Sequence, residues 1–221
     1  MLTTQELFDL THTLAAPLLG KARYPWEALD SLKDFILALG PTLSAEEYAQ
    51  PAPGVWVARD ARTASSASLL APCIIGRRTE VRPGAFIRGS VLVGDDAVVG
   101  NSTEIKNAIL FDGVQVPHFN YVGDSILGYK AHLGAGAVTS NVKSDKTPVV
   151  LRDGEKEILT GRKKLGAMVG NFVEVGCNSV LNPGAVLGPR ASVYPLSRVR
   201  GLIPADSILK GERGLVRRET R

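Results

Sequence analysis

A step of six residues runs through most of this sequence. Val57, Thr63, Leu69, Ile75, Val81, Ile87, Val93, Val99, Ile105, Phe111 and Pro117 lie six apart, and all but Thr63 and Pro117 are Val, Ile, Leu or Phe. Neither a helix, with 3.6 residues per turn, nor a lone amphipathic strand, with a period of two, sustains that pattern. A hexapeptide repeat does. Each unit is one short strand and a turn, three units close a triangular coil of about eighteen residues, and stacked coils pair their strands in parallel. Gly76, Gly94 and Gly100 follow repeat aliphatics directly, and Asp60, Asp95 and Asn101 are turn-prone residues between them. The step shortens to five at Val122 and Leu127 and returns to six at Leu133. After an interruption it resumes at Val169, Val175, Leu181, Leu187, Val193 and Val199. The expected fold is an all-β, single-stranded parallel β-helix whose inward aliphatics stack coil on coil.

The first fifty residues obey a different spacing. Leu7, Leu10, Leu14 and Leu18 recur at helical intervals behind Thr3 or Thr4, with Glu6 placed for a capping box, and Gly20 ends the run. Pro25 opens a second segment carrying Trp26, Leu29, Leu32, Ile36 and Leu39 until Gly40-Pro41 stops it. The chain therefore divides into a helical hairpin over residues 1–50, a β-helix over 51–205 and a basic C-terminal tail over 206–221. Within the β-helix, residues 142–168 are an insertion, and Asp153-Gly154 in VVLRDGEKEIL predicts a β-hairpin projecting from the prism. Arg162, Lys163 and Lys164 stand together where the insertion rejoins the coil, as a phosphate contact or a solvated charge run. The tail holds Lys210, Arg213, Arg217, Arg218 and Arg221 against Glu212 and Glu219. It reads as a frayed terminus or as a contact for CoA phosphates.

Composition removes several function classes. Lys+Arg 26 against Asp+Glu 22 leaves a net charge of +4 at an isoelectric point near 9.1, which suits an anionic small ligand better than a nucleic-acid groove. Aromatic residues make up only 6%, too few for base-stacking platforms. Cys73 and Cys177 are far apart in sequence and no Cys/His cluster accompanies them, so neither a disulfide framework nor a metal site is expected. The N-terminus carries acidic residues and no long apolar run, so neither a signal peptide nor a membrane span is expected, and the cytoplasm is the expected location.

Only His12, His118 and His132 are available as neutral-pH bases, and the last two fall where the repeat period slips. His12 lies in the first helical segment and reads as a surface or packing residue. His118 in VPHFNYVGD is the first candidate for a general base, the competing reading being a histidine packed at a coil corner. Residues 100–141, GNSTEIKNAILFDGVQVPHFNYVGDSILGYKAHLGAGAVTSN, resemble the acetyltransferase domain of the bifunctional UDP-N-acetylglucosamine pyrophosphorylase / glucosamine-1-phosphate N-acetyltransferase. That family's order of Gly, Asn, Glu, Lys, His, Tyr, Gly and Asp is matched at Gly100, Asn101, Glu104, Lys106, His118, Tyr121, Gly123 and Asp124, followed by Gly134, Ala135, Gly136 and Asn141. The YPWEAL segment and GRKKLGAMVG look closer to archaeal-type sugar-1-phosphate nucleotidyltransferase/acetyltransferase relatives.

This resemblance, over roughly residues 55–205, implies a left-handed coil, a homotrimer and acetyl-CoA as co-substrate, without metal, nucleic acid or membrane. It implies His118 as general base and Glu104 as a carboxylate near the acceptor amine. Arg88 and Lys106 become the cations for a sugar phosphate, which charge-assisted hydrogen bonds hold well. Tyr121, His132 and Asn141 become acceptor-site residues, and Ala135, Cys177 and Tyr194 mark the path of the pantetheine arm. His132 stands where the bacterial family usually has Asn, and Val142 where an aromatic commonly follows the Asn, departures that leave the acceptor's identity open. No glycine-rich nucleotidyltransferase loop precedes the repeats, and the chain is not expected to make UDP-sugars itself. The expected function is acetyl-CoA-dependent N-acetylation of glucosamine 1-phosphate or galactosamine 1-phosphate. O-acetylation of another sugar and a non-catalytic scaffold or nucleotide-sugar-binding module are the alternatives. A metal-dependent lyase on the same prism needs three converging histidines, and the coil offers two.

Overall fold

The computed structural model describes residues 2–211 and 214–218. Short strands from Val55–Ala58 to Ser207–Leu209 stack in parallel into three columns that form the faces of a prism. On face A, Val57 aligns with Ile75, Val93, Leu110, Leu127, Val169, Leu187 and Ile203 on successive coils. Face B stacks Thr63, Val81, Val99, Val116, Leu133, Val175, Val193 and Leu209, and face C stacks Leu69, Ile87, Ile105, Val122, Thr139, Leu181 and Val199. Most of these side chains are buried in one continuous core.

The ladder departs from the expected register in one place, with a physical cause. Ile87 and Val91 are four residues apart across the corner between faces C and A, whereas their partners Ile105 and Ala108 are three apart. One residue is missing at Lys106-Asn107, so Leu110 and Val116, not Phe111 and Pro117, occupy the inward positions. The deletion recurs at Gly123-Asp124, and the strands Glu104–Leu110 and Tyr121–Leu127 run unbroken around the corner. Two coils are thereby seventeen residues long. Phe111 faces outward but is still fully buried, its ring 5.2 Å from that of Phe8.

The N-terminal residues form not a two-helix hairpin but a chain of short pieces: helices Thr4–Leu7, Ala16–Leu19 and Leu32–Leu39, with 3-10 turns at Leu10–His12 and Pro25–Asp30. Side-chain bonds to the backbone interrupt the expected first helix. The Asp9 carboxylate accepts from Thr11 N–H at 3.1 Å and the Thr13 hydroxyl from Ala15 N–H at 3.1 Å, a competition that short polar residues win against helix propagation. Glu6 does close the N-terminus, accepting from the backbone and hydroxyl of Thr3.

These pieces cover face A, which is why its outward residues are apolar too. Ile74, Leu92, Ile109, Ile126 and Met168 are fully buried, as are Leu19, Leu32 and Ile36 of the cover. A strand buried on both sides needs no polar alternation. His12 O accepts from Asp112 N–H and Leu7 O from Asn171 N–H, pinning the cover to two coils. Faces B and C remain open.

The insertion forms the expected hairpin, Val150–Asp153 against Lys156–Leu159, with Gly154 at φ +62° in the turn. One side of it returns to the coil. Val149 and Leu151 are buried against Gly184, while Leu159 is exposed. Arg162 ion-pairs with Asp30 of the cover and so ties the insertion down. The basic tail is ordered where it is described: Ser207–Leu209 is the last coil strand, and Leu215–Arg217 folds back antiparallel on it. Pairing gives those backbone groups partners that a frayed end lacks. Arg213, Arg221, Glu212 and Glu219 lie outside the described residues. No described helix is long and apolar enough to cross a membrane.

Candidate active site

The shortened corner and face C gather most of the polar residues singled out in the sequence. Glu104 and Tyr121 are direct strand neighbours, and the Arg88 guanidinium donates to the Glu104 carboxylate at 2.6 Å. Lys106 follows on the same strand, beside Gly123. The Tyr121 ring lies over Gly123, where a Cβ would stand 2.5 Å from the phenol oxygen, so only glycine admits it. Asn141 Nδ2 donates to Tyr121 Oη at 3.3 Å and to Asp124 Oδ2 at 2.5 Å, and Asn107 Nδ2 donates to Asp124 Oδ1 at 2.8 Å. Burial raises the Tyr121 pKa above the ordinary phenol value, and the nearby Asp124 and Glu104 carboxylates add to it, so Tyr121 stays protonated.

His118 ends the strand Gln115–His118 on face B, at the edge facing Tyr121 across the corner Phe119-Asn120. Its side chain is exposed, and no described residue hydrogen-bonds its ring. Its backbone is fixed by Asn120, a residue no sequence motif had marked. Asn120 is 2% exposed; its Oδ1 accepts from His118 N–H at 3.2 Å, and its Nδ2 donates to Gly134 O at 2.9 Å and Ala137 O at 3.0 Å. The amide thus locks the His118 corner onto the GAG turn of the next coil. Gly136 N–H donates to His118 O at 3.0 Å, Asn178 N–H to Ala135 O at 2.8 Å, and Leu196 N–H to Cys177 O at 2.9 Å. His118, Ala135 and Cys177 therefore line one edge of the prism, with the exposed Tyr194 on the following coil.

His132 is placed elsewhere. It points from face B, where its Nδ1 lies 2.8 Å from Glu174 Oε2, in a cleft of about 390 Å³ with Lys130 and Asp96. A larger cleft of about 980 Å³ opens next to Asn141, between Val142, Lys143, Leu151 and Arg152 of the insertion and Asn182 and Arg200 of later coils. Among the described residues no three His, Cys, Asp or Glu side chains converge as a metal-binding group. The cluster offers a paired cation beside a carboxylate, a neutral phenol, an oriented amide and, across the corner, an exposed imidazole.

The GMPPB C-terminal domain family matches residues 69–187, more than half of the chain, including the corner and the His118 edge. The chain belongs to this family. A bifunctional sugar-1-phosphate nucleotidylyltransferase/acetyltransferase of Sulfurisphaera tokodaii is 34% identical over 113 residues, covering 51% of this chain and 28% of that protein. The bifunctional protein GlmU of Leifsonia xyli is 32% identical over 135 residues, covering 61% and 24%. The chain thus spans about a quarter of the length of the curated relatives it matches. Among solved structures, a hexapeptide transferase family protein from Anaplasma phagocytophilum is similar over 76% of this chain and 82% of its own, at 15% identity and a TM-score of 0.43.

Proposed function

We propose that the chain is an acetyl-CoA-dependent acetyltransferase whose acceptor is the amino group of an amino-sugar 1-phosphate, in nucleotide-sugar metabolism. The observation that carries this reading is the joint placement of Arg88, Glu104, Tyr121 and Asn141 on one open face, next to a corner that ends in an exposed histidine. The family match over residues 69–187 takes in all of these residues, and a relative whose name includes acetyltransferase matches 51% of the chain.

In this reading Arg88 and Lys106 hold the phosphate by charge-assisted hydrogen bonds. Glu104 and Asn141 orient the amine, and His118 takes a proton from the ammonium so that its lone pair attacks the thioester carbon. The C–N bond forms, the C–S bond breaks and the thiolate of CoA leaves. A backbone N–H at the GAG turn stabilises the oxyanion. The edge formed by His118, Ala135, Cys177 and Tyr194 carries the pantetheine arm. A homotrimer in the cytoplasm, without a metal, belongs to the same reading.

The test is thiol release from acetyl-CoA, followed with DTNB, in the presence of glucosamine 1-phosphate, galactosamine 1-phosphate or no acceptor. Release that depends on one amino-sugar phosphate is the expected result. A folded protein that releases no thiol with either acceptor refutes the assignment.

A further inference from the structure

The corner between faces C and A holds a buried carboxylate to which the proposed chemistry gives no direct task. Asp124 is 4% exposed and adopts a left-handed backbone, φ +48°. It stands between Asn107 and Asn141, each seventeen residues away on an adjacent coil, and accepts one hydrogen bond from each side-chain amide. A carboxylate is an acceptor only. Asn141 must therefore turn its nitrogen, not its oxygen, toward Asp124. The second N–H on that nitrogen reaches Tyr121 Oη. Two consequences follow. Asn141 Oδ1 accepts nothing from any described residue, and Tyr121 Oη, already accepting, keeps its own O–H free to donate.

We infer that Asp124 is a positioning residue that sets the direction of this hydrogen-bond chain, so that Asn141 presents an acceptor and Tyr121 a donor to the bound sugar phosphate. An amine held for attack has N–H protons to give and meets the Asn141 oxygen. The sugar hydroxyls and phosphate have lone pairs and meet the phenol O–H. Without Asp124 the Asn141 amide is free to flip, which would present N–H to an amine that needs an acceptor. The inference rests on the acetyltransferase reading above and adds the residue that fixes the polarity of its acceptor site.

The experiment is a double-mutant cycle on the full chain, reading acetyl transfer to the amino-sugar phosphate together with the melting midpoint. D124A is expected to lower kcat on the order of 10²-fold, the scale of a misoriented reacting group, with acceptor KM little changed. In an N141A background the same substitution should cost almost nothing more, because Asp124 acts through Asn141. A second variant covers the case in which D124A does not fold. N107D/D124N moves the carboxylate one coil back, so the amide at position 124 donates to position 107 and still offers its oxygen to Asn141; it should retain most of the activity. Unchanged kcat in D124A, the same loss in both backgrounds, or a folded N107D/D124N as inactive as D124A would overturn the inference alone. A wild-type protein without acceptor-dependent thiol release removes the underlying reading instead.

Discussion

Replacing Asn120 by alanine separates the corner that carries His118 from the turn it is locked to. The side chain is 2% exposed and makes three hydrogen bonds, at 3.2 Å from His118 N–H, 2.9 Å to Gly134 O and 3.0 Å to Ala137 O. Each such bond contributes about 1 kcal/mol net, so their loss costs about 3 kcal/mol. For a chain of this length that corresponds to a fall in melting midpoint of roughly 6–12 °C. Urea unfolding followed by circular dichroism measures the first quantity, and a calorimetric scan the second. Acetyl transfer should fall as well, because the His118 backbone N–H loses its fixed acceptor and with it the alignment of the ring. A stability loss below about 1 kcal/mol would refute the reasoning, since it would mean that these buried bonds are matched by water in the native state.

Three further outcomes can be measured. His118→Ala should leave the melting midpoint nearly unchanged, since the ring is exposed, while lowering acetyl transfer roughly 10²–10⁴-fold, the usual contribution of a general base. Ile109→Ala, at a fully buried position between the coil and the N-terminal cover, should cost about 2–5 kcal/mol in urea unfolding. Burial, with Asp95 adding to it, holds the Asp112 carboxyl above the usual carboxylate range, although the Asp95 N–H bond opposes the shift. The native state therefore holds this proton more tightly than the unfolded chain, and stability drains away as pH rises above about 4. Asp112→Asn should stabilise at pH 7 and show no gain at pH 3, where both states are protonated; an equal gain at both would contradict it.

The solenoid was legible because inward aliphatics at a fixed step are the direct record of a coil. The register error at Phe111 and Pro117 shows the limit of that reading. A one-residue deletion at Lys106-Asn107 leaves an aliphatic-looking residue at either of two adjacent positions, and Phe111 is apolar for a different reason, its contact with Phe8. The cover over face A had left a trace that spacing alone did not use. CII, VLV, AIL, AMV and AVL are unbroken apolar triplets on one face of successive coils, with SIL departing from the pattern at Ser125, whereas the other two faces alternate. Such triplets mean burial on both sides. At the site, Arg88, Glu104, Tyr121 and Asn141 come together, while His132 joins Glu174 on another face. Asn120 escaped notice because a buried asparagine in a corner looks like any turn residue until its partners are known.

The proposed chemistry sits where the repeat is imperfect, and the imperfection supplies its means. In the preceding eighteen-residue coil this corner is turned by Gly89 and Ser90, both left-handed, with no long side chain to place. Removing one residue straightens the strand through the bend and leaves a single left-handed position at this corner of each short coil, filled by Asn107 and then Asp124. Asn and Asp are the residues that tolerate that conformation with a side chain still able to hydrogen-bond. Two consecutive short coils stack these positions in one column, and Asn141 extends it by a further seventeen residues. The solenoid's Gly89-Ser90 corner places no side-chain amide or carboxylate there. Shortened twice, it builds a buried acceptor with an amide on each side, next to the open strand that carries Glu104 and Tyr121. Restoring the period by inserting one glycine after Lys106 should therefore preserve the prism, in which the coils from Val57 to Ile75 and from Ile75 to Val93 already have eighteen residues, while abolishing the Asn107–Asp124 contact.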